Sequence, residues 1–409
     1  MNPHLKILYP AIMIIGMGQT LVLAIIPMLG RELGLDQLII YVPFIGDLPL
    51  KEFAITLLSS LVSLVFFIVA PMWGRRSDQV GRKKIIITGL IGYCVGSLLF
   101  IAVAYLGFKG VLLGLTLYTL LVIARLLMVV VMSAALPASS AYVADVTTLE
   151  QRTKGISGIS SATQLGVLVG PILAYFSSIS FLVPLIIHAL LALFAGLLVL
   201  FFLPESSPNV EGKQPVKKLS YFDQRYRRYM GIALVMYIMM GMVQQTMAFH
   251  FQDLLTLSAV QSARNFSLGM VISSLTVLST QLLIVRHWRY HPLRLLQIGL
   301  PFFIFAYWLF ASADSLSDLY MGMFLVGIGV GLSVPGFSSS CSIAVGPQEQ
   351  GSIAGMNAAM SAMGFVIGPL VGGVLYPISP YYTYLMAAVL MLCLSIFSTF
   401  QSPIKAKVK

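Results

Sequence analysis

Arg125 stands out in this sequence because it is a cation inside a long apolar run. The run covers residues 114–143, and we predict that it crosses a membrane as a helix. A charged side chain in the middle of a bilayer is unfavourable unless it faces water or a partner. Arg125 is therefore interpreted in one of two ways: as a structural ion partner, or as a group that binds a substrate or helps to move a proton.

The remaining candidates for polar chemistry are neutral, because the predicted helices contain no Asp or Glu near their centres. Buried amides and hydroxyls are unfavourable unless paired, so these side chains should face a cavity or cross-link helices. They are Gln19, Gln164, Tyr237, Gln244, Gln245 and Asn357. His250, close to Asp253, could titrate near neutral pH, although a lone histidine is more often an interfacial hydrogen-bonding group. A cavity with an arginine and no acid disfavours bare cations and suits neutral or anionic molecules.

The elements that position these residues must be membrane helices, because the composition excludes an ordinary soluble protein. The 409 residues are 58% hydrophobic and only 10% charged, with a mean hydropathy of +0.93, whereas a soluble protein is about 25% charged. Lipid admits only helices or closed barrels, and the continuous apolar runs favour helices. We therefore predict an all-α integral membrane protein whose first apolar run is a membrane helix, not a signal peptide.

Twelve apolar runs are long enough to cross a bilayer, which takes about 20 residues. They are residues 7–29, 53–73, 85–106, 114–143, 155–177, 180–203, 229–251, 266–286, 295–312, 317–343, 352–376 and 379–401. An even number of spans places both termini on one side of the membrane. Most cations of the net +11 charge fall on that side. Because lysine and arginine accumulate in cytoplasmic loops, we predict cytoplasmic termini and no role for the charge in binding nucleic acid.

The longest polar stretch, residues 204–228, divides the predicted helices into two sets of six. It is rich in proline, serine and charge, which is typical of a linker. The predicted domains are therefore a six-helix bundle at 1–203, a cytoplasmic linker at 204–228 and a second six-helix bundle at 229–409.

An internal repeat relates the two halves. Four residues of the first half recur in the second at an offset of 198 residues: Pro137, Gly166, Gly170 and Pro171 match Pro335, Gly364, Gly368 and Pro369. The paired glycines allow helices to approach closely, and the prolines that follow them permit bending. Two similar halves around a central cavity are typical of transporters. Met323 occupies the position equivalent to Arg125, so the repeat does not require that charge.

The stretch GRRSDQVGRKK, residues 74–84, gathers five cations around one acid. The spacing of Gly74, Asp78, Gly81, Arg82 and Lys83 resembles the G-x-x-x-D-x-x-G-R-K/R loop of the major facilitator superfamily. The segment from Asp145 to Arg152 is similar to the family's loop after the fourth helix. GVLVGP, residues 166–171, resembles the glycine-rich signature of its drug:proton antiporter branches.

This resemblance implies a cytoplasmic loop at residues 74–84, in which Gly74 and Gly81 permit a tight turn. It also implies a conformational latch, made in one state and broken in the other, in which Asp78 ties the two halves together. The latch residues would be Gly74, Asp78, Gly81, Arg82, Lys83, Asp145 and Arg152. Alternatively, Asp78 only neutralises its neighbours. The equivalent stretch of the second half, RHWRYHPLR at 286–294, keeps cations and has no acid, so any latch is asymmetric.

Taken together, the patterns predict a twelve-helix secondary transporter of the major facilitator type that works by alternating access. The leading function is proton-coupled efflux of a drug or metabolite by a monomer in a bacterial inner membrane. The first alternative is transport, in either direction, of an anionic metabolite or a siderophore-like chelate. A non-transporting membrane sensor is an alternative of a different class. The sequence has no nucleotide-binding loop, no HExxH and no CxxC, so we expect no enzymatic activity, no metal and no cofactor.

Overall fold

The computed structural model of this chain describes residues 3–42, 46–147, 149–206, 219–346 and 349–401. In that part of the chain twelve helical spans are long and apolar enough to cross a membrane. Each overlaps one of the predicted runs, so the twelve-helix membrane fold is confirmed. The spans are helical because lipid offers no partners to the backbone amides and carbonyls of an open strand.

The helices are named in chain order. Before the linker they are α1 (Pro3–Glu32), α2 (Lys51–Val80), α3 (Arg82–Phe108), α4 (Gly114–Met132), α5 (Ala135–Val146), α6 (Leu149–Ala174) and α7 (Leu182–Phe202). After the linker they are α8 (Arg227–Leu255), α9 (Ala259–Leu283), α10 (Pro292–Ala311), α11 (Leu316–Ile343), α12 (Gln350–Leu375) and α13 (Pro380–Thr399). Short 3-10 turns lie at Leu35–Gln37, Tyr175–Ser178 and Val285–His287.

A small hairpin between α1 and α2 adds strands that the all-α prediction did not include. Strand β1 (Ile39–Val42) pairs antiparallel with β2 (Gly46–Pro49), and Ile40 lies opposite Leu48. The hairpin belongs to a connection between apolar spans, where water can bond the free edges of the two strands. It therefore leaves the helical fold of the spans unchanged.

The fourth span, predicted over residues 114–143, is confirmed as one apolar span at Gly114–Val146, but its helix is interrupted. It consists of α4 and α5, which are separated at Ser133 and Ala134. Pro137 explains the break, because a proline ring clashes with the carbonyl four residues earlier and has no N–H to bond it. Its repeat-equivalent, Pro335, lies inside the continuous α11. The two halves therefore differ at this position.

The chain divides into two compact units. The first comprises Met1–Gly212 with Ser258–Ser267, and the second comprises Lys213–Leu257 with Leu268–Lys409. Helices α1–α7 thus belong to the first unit, α8 and α10–α13 belong to the second, and α9 is divided between them. About half of the predicted linker, residues 207–218, lies outside the described residues, so the predicted domain boundaries stay a prediction.

In the first unit the repeat glycines form the contact between α6 and α1. A Cβ on Gly166 would meet the backbone carbonyl of Met13, and one on Gly170 would meet the Thr20 side chain. The Thr20 hydroxyl donates to the Val167 carbonyl at 2.9 Å, which ties the two helices beside these glycines. Only glycine leaves room for this packing.

The second unit repeats the arrangement with α12 against α8. A Cβ on Gly364 would meet the backbone of Tyr237 and Ile238, and one on Gly368 would meet the backbone of Ile238 and Met242. Both units therefore use their repeat glycines for the same kind of helix contact. Pro171 and Pro369 lie inside α6 and α12 without ending them, and their role in bending stays a prediction.

Replacing Gly364 by alanine is expected to destabilise the second unit. Because the added methyl group would meet the Tyr237 Cβ and the α8 backbone, none of which can swing aside, the helices must separate, which costs about 1–3 kcal/mol. Gly355 lies in the same helix with open space around it, so Gly355→Ala should be neutral or stabilising by about 0.5–1 kcal/mol. Thermal unfolding of the purified variants in detergent compares the two. Equal melting temperatures would contradict the close packing described for Gly364.

Candidate functional site

Arg125 lies in the interior of the first unit, on the face of α4 that packs against α3. It is 4% exposed. Its guanidinium carbon lies over the Phe100 ring, 5.4 Å from the ring centroid, in cation–π geometry. Its Nε is buried without a hydrogen-bond partner. Among the residues that the structure describes, no carboxylate forms an ion pair with it; whether its role is structural or functional stays a prediction.

Two titratable side chains that the sequence analysis missed lie beside Arg125. Tyr93, on α3, is close enough to Arg125 for an electrostatic interaction. The Tyr93 ring meets the edge of the His188 ring, with centroids 4.9 Å apart. His188, on α7, is 2% exposed, and its Nε2 lies 2.8 Å from the Ile14 carbonyl. Gly18 of α1 makes room for this pair, because a Cβ there would meet both side chains.

We call Tyr93, Phe100, Arg125 and His188 the first-unit cluster. It draws on three helices and offers one fixed cation, one phenol and one imidazole within an aromatic lining. The imidazole can accept or donate a proton, and the guanidinium can hold an anion or an electron-rich group. A sequence signal for His188 did exist, since it is the one histidine in the apolar run of residues 180–203. Its pairing with Tyr93 is a tertiary contact that spacing does not reveal.

Gln19 and Gln164 were also predicted to belong to a polar site in the first half. They lie on α1 and α6, which pack together, and both side chains are exposed. Within the described part of the chain, no hydrogen bond joins either amide to the first-unit cluster. The prediction that they contact a substrate stays a prediction.

In the second unit, the predicted amides are buried or half-buried and form few hydrogen bonds. Gln245 is 1% exposed, and neither of its amide atoms has a hydrogen-bond partner in the described part of the chain. Asn357 donates from Nδ2 to the Ser338 hydroxyl at 3.3 Å, while its Oδ1 is buried and unpaired. Gln244 is half-buried one position along α8. Buried amides without partners favour a role for water or a ligand at these positions.

Tyr237 and His250 lie on the same helix, α8, in two different surroundings. Tyr237 is buried and meets the edge of Phe337 at 6.4 Å between centroids. The His250 Nε2 lies 2.9 Å from the Phe310 carbonyl, and the Tyr384 ring packs 4.6 Å from the imidazole centroid. This aromatic packing is compatible with both interpretations of His250, as a hydrogen-bonding group and as a group that transfers a proton. Both interpretations stay predictions.

The Tyr376 hydroxyl connects the surroundings of His250 to a carboxylate, that of Asp253. It donates to the Asp253 carboxylate at 2.8 Å, and its ring meets the imidazole edge-on with centroids 6.4 Å apart. Asp253 itself is exposed near the end of α8. The carboxylate near His250 is therefore held by a phenol and open to solvent.

The predicted loop at residues 74–84 is mostly helical, which corrects the expectation of a long loop. Helix α2 continues to Val80 and α3 begins at Arg82, so Gly81 alone makes the turn. Its φ of 108° lies in the region that favours glycine. Gly74 does not contribute to the turn, because it lies inside α2, where an added Cβ would meet Pro137 at an ordinary contact distance of 3.6 Å.

Arg82 is the centre of the charged residues at this turn. Its side chain is 5% exposed and pairs with Asp78, four residues earlier. Its Nε donates to Asp145 of α5 at 3.0 Å, and Nη1 donates to the Ser77 hydroxyl at 2.6 Å. The Ser206 hydroxyl also donates to Asp145, at 3.1 Å. The guanidinium thus joins α2, α3 and α5 through charge-assisted bonds.

A second acid at this turn was not recognised from the sequence. Glu205, three residues after α7, accepts from the Lys83 backbone N–H at 3.0 Å, at the N-terminus of α3. A carboxylate is favourable there because the first N–H groups of a helix are unpaired and carry a partial positive charge. The side chain of Arg152 lies outside the described residues. Whether these groups form a conformational latch stays a prediction.

The second unit has its own charged cluster at the start of α8. Arg225 donates from Nη1 to Glu349 at 2.8 Å and from Nη2 to Asp223 at 2.8 Å. The hydrogen bonds that Arg225 donates to Asp223 and then to Glu349 raise its pKa, so it stays charged. This cluster fixes the connection between α11 and α12 to the segment before α8.

Comparisons with known proteins show which families, relatives and solved structures this chain is similar to. The family model of the Major Facilitator Superfamily matches residues 8–364. Multidrug resistance protein 1 of Bacillus subtilis is 25% identical over 364 residues, covering 87% of this chain and 90% of the relative. A PmrA homologue of Lactococcus lactis subsp. lactis, a multidrug resistance efflux pump, is 30% identical over 345 residues, covering 81% of this chain and 79% of the relative. The crystal structure of a human organic anion transporter, MFSD10, matches 97% of this chain and 100% of its own with a TM-score of 0.66, at 18% identity.

Proposed function

This chain belongs to the Major Facilitator Superfamily, and from that premise we propose that it exports a small, partly apolar organic molecule in exchange for protons. The observation that carries the proposal is the similarity, over more than three quarters of the chain, to relatives whose names describe multidrug resistance and efflux. Members of the family are membrane transporters, and the twelve apolar spans of this chain fit that role.

The first-unit cluster supports a neutral or anionic substrate. Arg125 is buried, has an unpaired Nε and lies on an aromatic ring. A buried cation without an acid repels a bare cation and attracts an electron-rich group. We propose that Arg125 contacts the substrate and that Tyr93 and Phe100 pack against the apolar part of the molecule. In this proposal Gln19 and Gln164 of the first unit bind polar groups of the substrate.

Tyr237, Gln244, Gln245 and Asn357 of the second unit would supply further polar contacts to the substrate. The two unpaired amide atoms of Gln245 and the unpaired Asn357 Oδ1 are the support for this part of the proposal. Each of these atoms has unused hydrogen-bonding capacity that a mobile ligand or water can fill. His250 is proposed as a hydrogen-bonding group of the aromatic surroundings and as a secondary candidate for proton uptake.

A second candidate function is transport of an anionic metabolite. Here Arg125 would bind a carboxylate or phosphate through the fork of its guanidinium, and the direction of transport would be set by the gradients. The absence of an ion-pair partner for Arg125 among the described residues favours this candidate as much as the first. The two candidate functions differ in their substrates: the first includes transport of a neutral, partly apolar compound, and the second does not.

We also propose that the protein is a monomer of a bacterial cytoplasmic membrane with both termini inside the cell. The support for the orientation is the distribution of cations, which gather on one side of the predicted spans, and the support for a bacterial membrane is the similarity to bacterial relatives. Protease accessibility of tags at either terminus in intact spheroplasts reads the orientation. A terminal tag that is cleaved from outside would overturn this part of the proposal.

The proposed function is tested by flux in proteoliposomes with an imposed pH gradient. A panel of neutral, anionic and cationic amphipathic compounds is loaded, and export into the more acidic compartment is followed. We expect a neutral or anionic compound to move against its gradient and the movement to stop when an ionophore collapses the pH gradient. Flux of an anion without dependence on pH would favour the second candidate. Binding without flux for every compound would identify a sensor and overturn the proposal.

A further inference from the structure

The basic turn between α9 and α10 has no assigned role in transport. It carries Arg286, Arg289 and Arg294, all with exposed side chains. In the described part of the chain none of these three forms an ion pair. The equivalent turn of the first unit is different, because there Asp78 and Asp145 hold Arg82. The second unit therefore presents three unneutralised cations in one short segment.

An apolar groove begins at this turn and continues along the helices. Its volume is about 430 Å³, within the range of about 300–1,000 Å³ that ligand pockets occupy. The lining residues come from α9, α10, α11 and the turn, and include Leu275, Leu283, Trp288, Leu295, Phe302 and Phe324. From Leu283 to Leu275 the groove follows eight residues of α9, or about 12 Å of helix. Its length and apolar lining suit a hydrocarbon chain.

Two N–H donors at the turn lack acceptors among the residues that the structure describes. The Nε1 of Trp288, which lines the groove, is buried without a partner. His291 accepts the Leu293 N–H on its Nδ1 at 3.2 Å, so in the neutral ring the hydrogen is on Nε2, and that atom is also buried and unpaired. Buried donors without partners are unfavourable. An acceptor-rich group at the turn would satisfy both.

The start of α10 adds to the attraction for an anion. This helix has 20 residues and begins at Pro292, directly after the basic turn. The partial positive charge of a helix N-terminus favours negatively charged groups. Tyr290 packs against Trp288, with ring centroids 5.5 Å apart, and lies under Arg294. Aromatic and basic residues together at the end of a span are typical of the level of lipid headgroups.

We propose that the groove and the basic turn form one binding site for an anionic phospholipid. An acyl chain lies in the groove, and the phosphate lies at Arg286, Arg289 and Arg294, where it accepts from Trp288 and His291. An apolar solute in the groove would leave the cations and both donors without an anion, and a soluble anion would leave the groove unfilled. Charge complementarity thus selects a lipid with a negative headgroup, as in other basic pockets between membrane helices.

The test measures lipid retention by the purified full-length protein with native mass spectrometry. Phosphatidylglycerol is compared with phosphatidylcholine of the same acyl chains. We expect phosphatidylglycerol to bind at least about tenfold more tightly, and the triple variant Arg286→Gln, Arg289→Gln, Arg294→Gln to remove that preference. The matched control, Arg75→Gln, Arg76→Gln, Lys84→Gln, also removes three cations and should bind both lipids as the wild type does.

A groove-filling variant separates the acyl chain from the headgroup. Ser279 lines the groove, and Ser279→Trp should weaken binding of phosphatidylglycerol although all three arginines are present. Equal affinity of the wild type for the two lipids would overturn the proposal, and so would an equal loss in the control triple variant. If the arginine triple variant does not fold, the comparison of lipids on the wild type and the Ser279→Trp variant decides the question. Unchanged phosphatidylglycerol binding in Ser279→Trp would contradict a chain in the groove.

Discussion

Arg125→Ala is expected to abolish gradient-driven transport while leaving the protein folded. The guanidinium is buried on Phe100, and no carboxylate pairs with it among the described residues. Its removal therefore leaves no buried unpaired acid in that part of the chain, and the fold should survive. What is lost is the attraction for an electron-rich group on the substrate. A charged hydrogen bond contributes about 1.5–3 kcal/mol, which corresponds to roughly a 10- to 150-fold loss in binding.

Counterflow separates substrate contact from proton coupling at Arg125. If Arg125 contacts substrate, both counterflow and pH-driven flux should fall in Arg125→Ala. If it serves coupling alone, counterflow should persist while pH-driven flux disappears. Arg125→Lys keeps the charge but not the planar fork, so it should retain partial activity for a loosely bound anion and little for one bound through both nitrogens.

The repeat supplies a control for the packing effect of the Arg125 substitution. Met323 is the equivalent residue of the second half and is also buried. Met323→Ala removes comparable volume without a charge, so it should lower the melting temperature with a smaller effect on flux. A stable Arg125→Ala protein with wild-type flux would contradict both functional interpretations. An Arg125→Ala protein that melts far below Met323→Ala would indicate a structural role.

The membrane fold was predictable because each span is a continuous apolar run and the repeat landmarks keep one offset. Where a helix breaks and which glycine forms a turn depend on local backbone geometry, which the constant offset of 198 residues does not show. Pro137 and Pro335 are equivalent in sequence, but only Pro137 separates two helices. Gly74 and Gly81 both belong to the recognised motif, but only Gly81 has the positive φ of a turn. A sequence motif therefore located the junction without showing which glycine forms it.

One residue of the candidate site could be predicted from the sequence, because a charged residue stands out in an apolar run. Arg125 is such a charge, and it lies in the interior of the first unit, although its role stays a prediction. His188 and Tyr93 were missed because tyrosine and a single histidine are common packing residues, and their meeting depends on how α3 and α7 pack. Glu205 was missed because it lies in the polar linker by sequence, although it caps α3 in space.

Arg82→Ala is expected to be among the most destabilising single substitutions in the first unit. The side chains of Arg82 and Asp145 are 5% and 11% exposed. Removal of one partner from a buried ion pair leaves the other charge uncompensated, which costs about 3–5 kcal/mol. Lys84 is an exposed cation of the same stretch, so Lys84→Ala is the matched control and should change stability by less than about 0.5 kcal/mol. Chemical or thermal unfolding in detergent measures the difference, and similar stabilities for the two variants would contradict the role given to Arg82.

Asp78→Asn then tests the conformational latch separately from stability. The Asp78 side chain is 42% exposed, and an exposed ion pair contributes only about 0–1 kcal/mol. The variant should therefore melt close to the wild type, far above Arg82→Ala. If Asp78 is part of a latch, the same variant should still shift the resting state toward opening on the cytoplasmic side and lower flux, because a ligand or contact that favours one state sets the populations. Labelling of cysteines introduced on that side reads the shift. Wild-type labelling together with wild-type flux would leave Asp78 as a partner of Arg82 and nothing more.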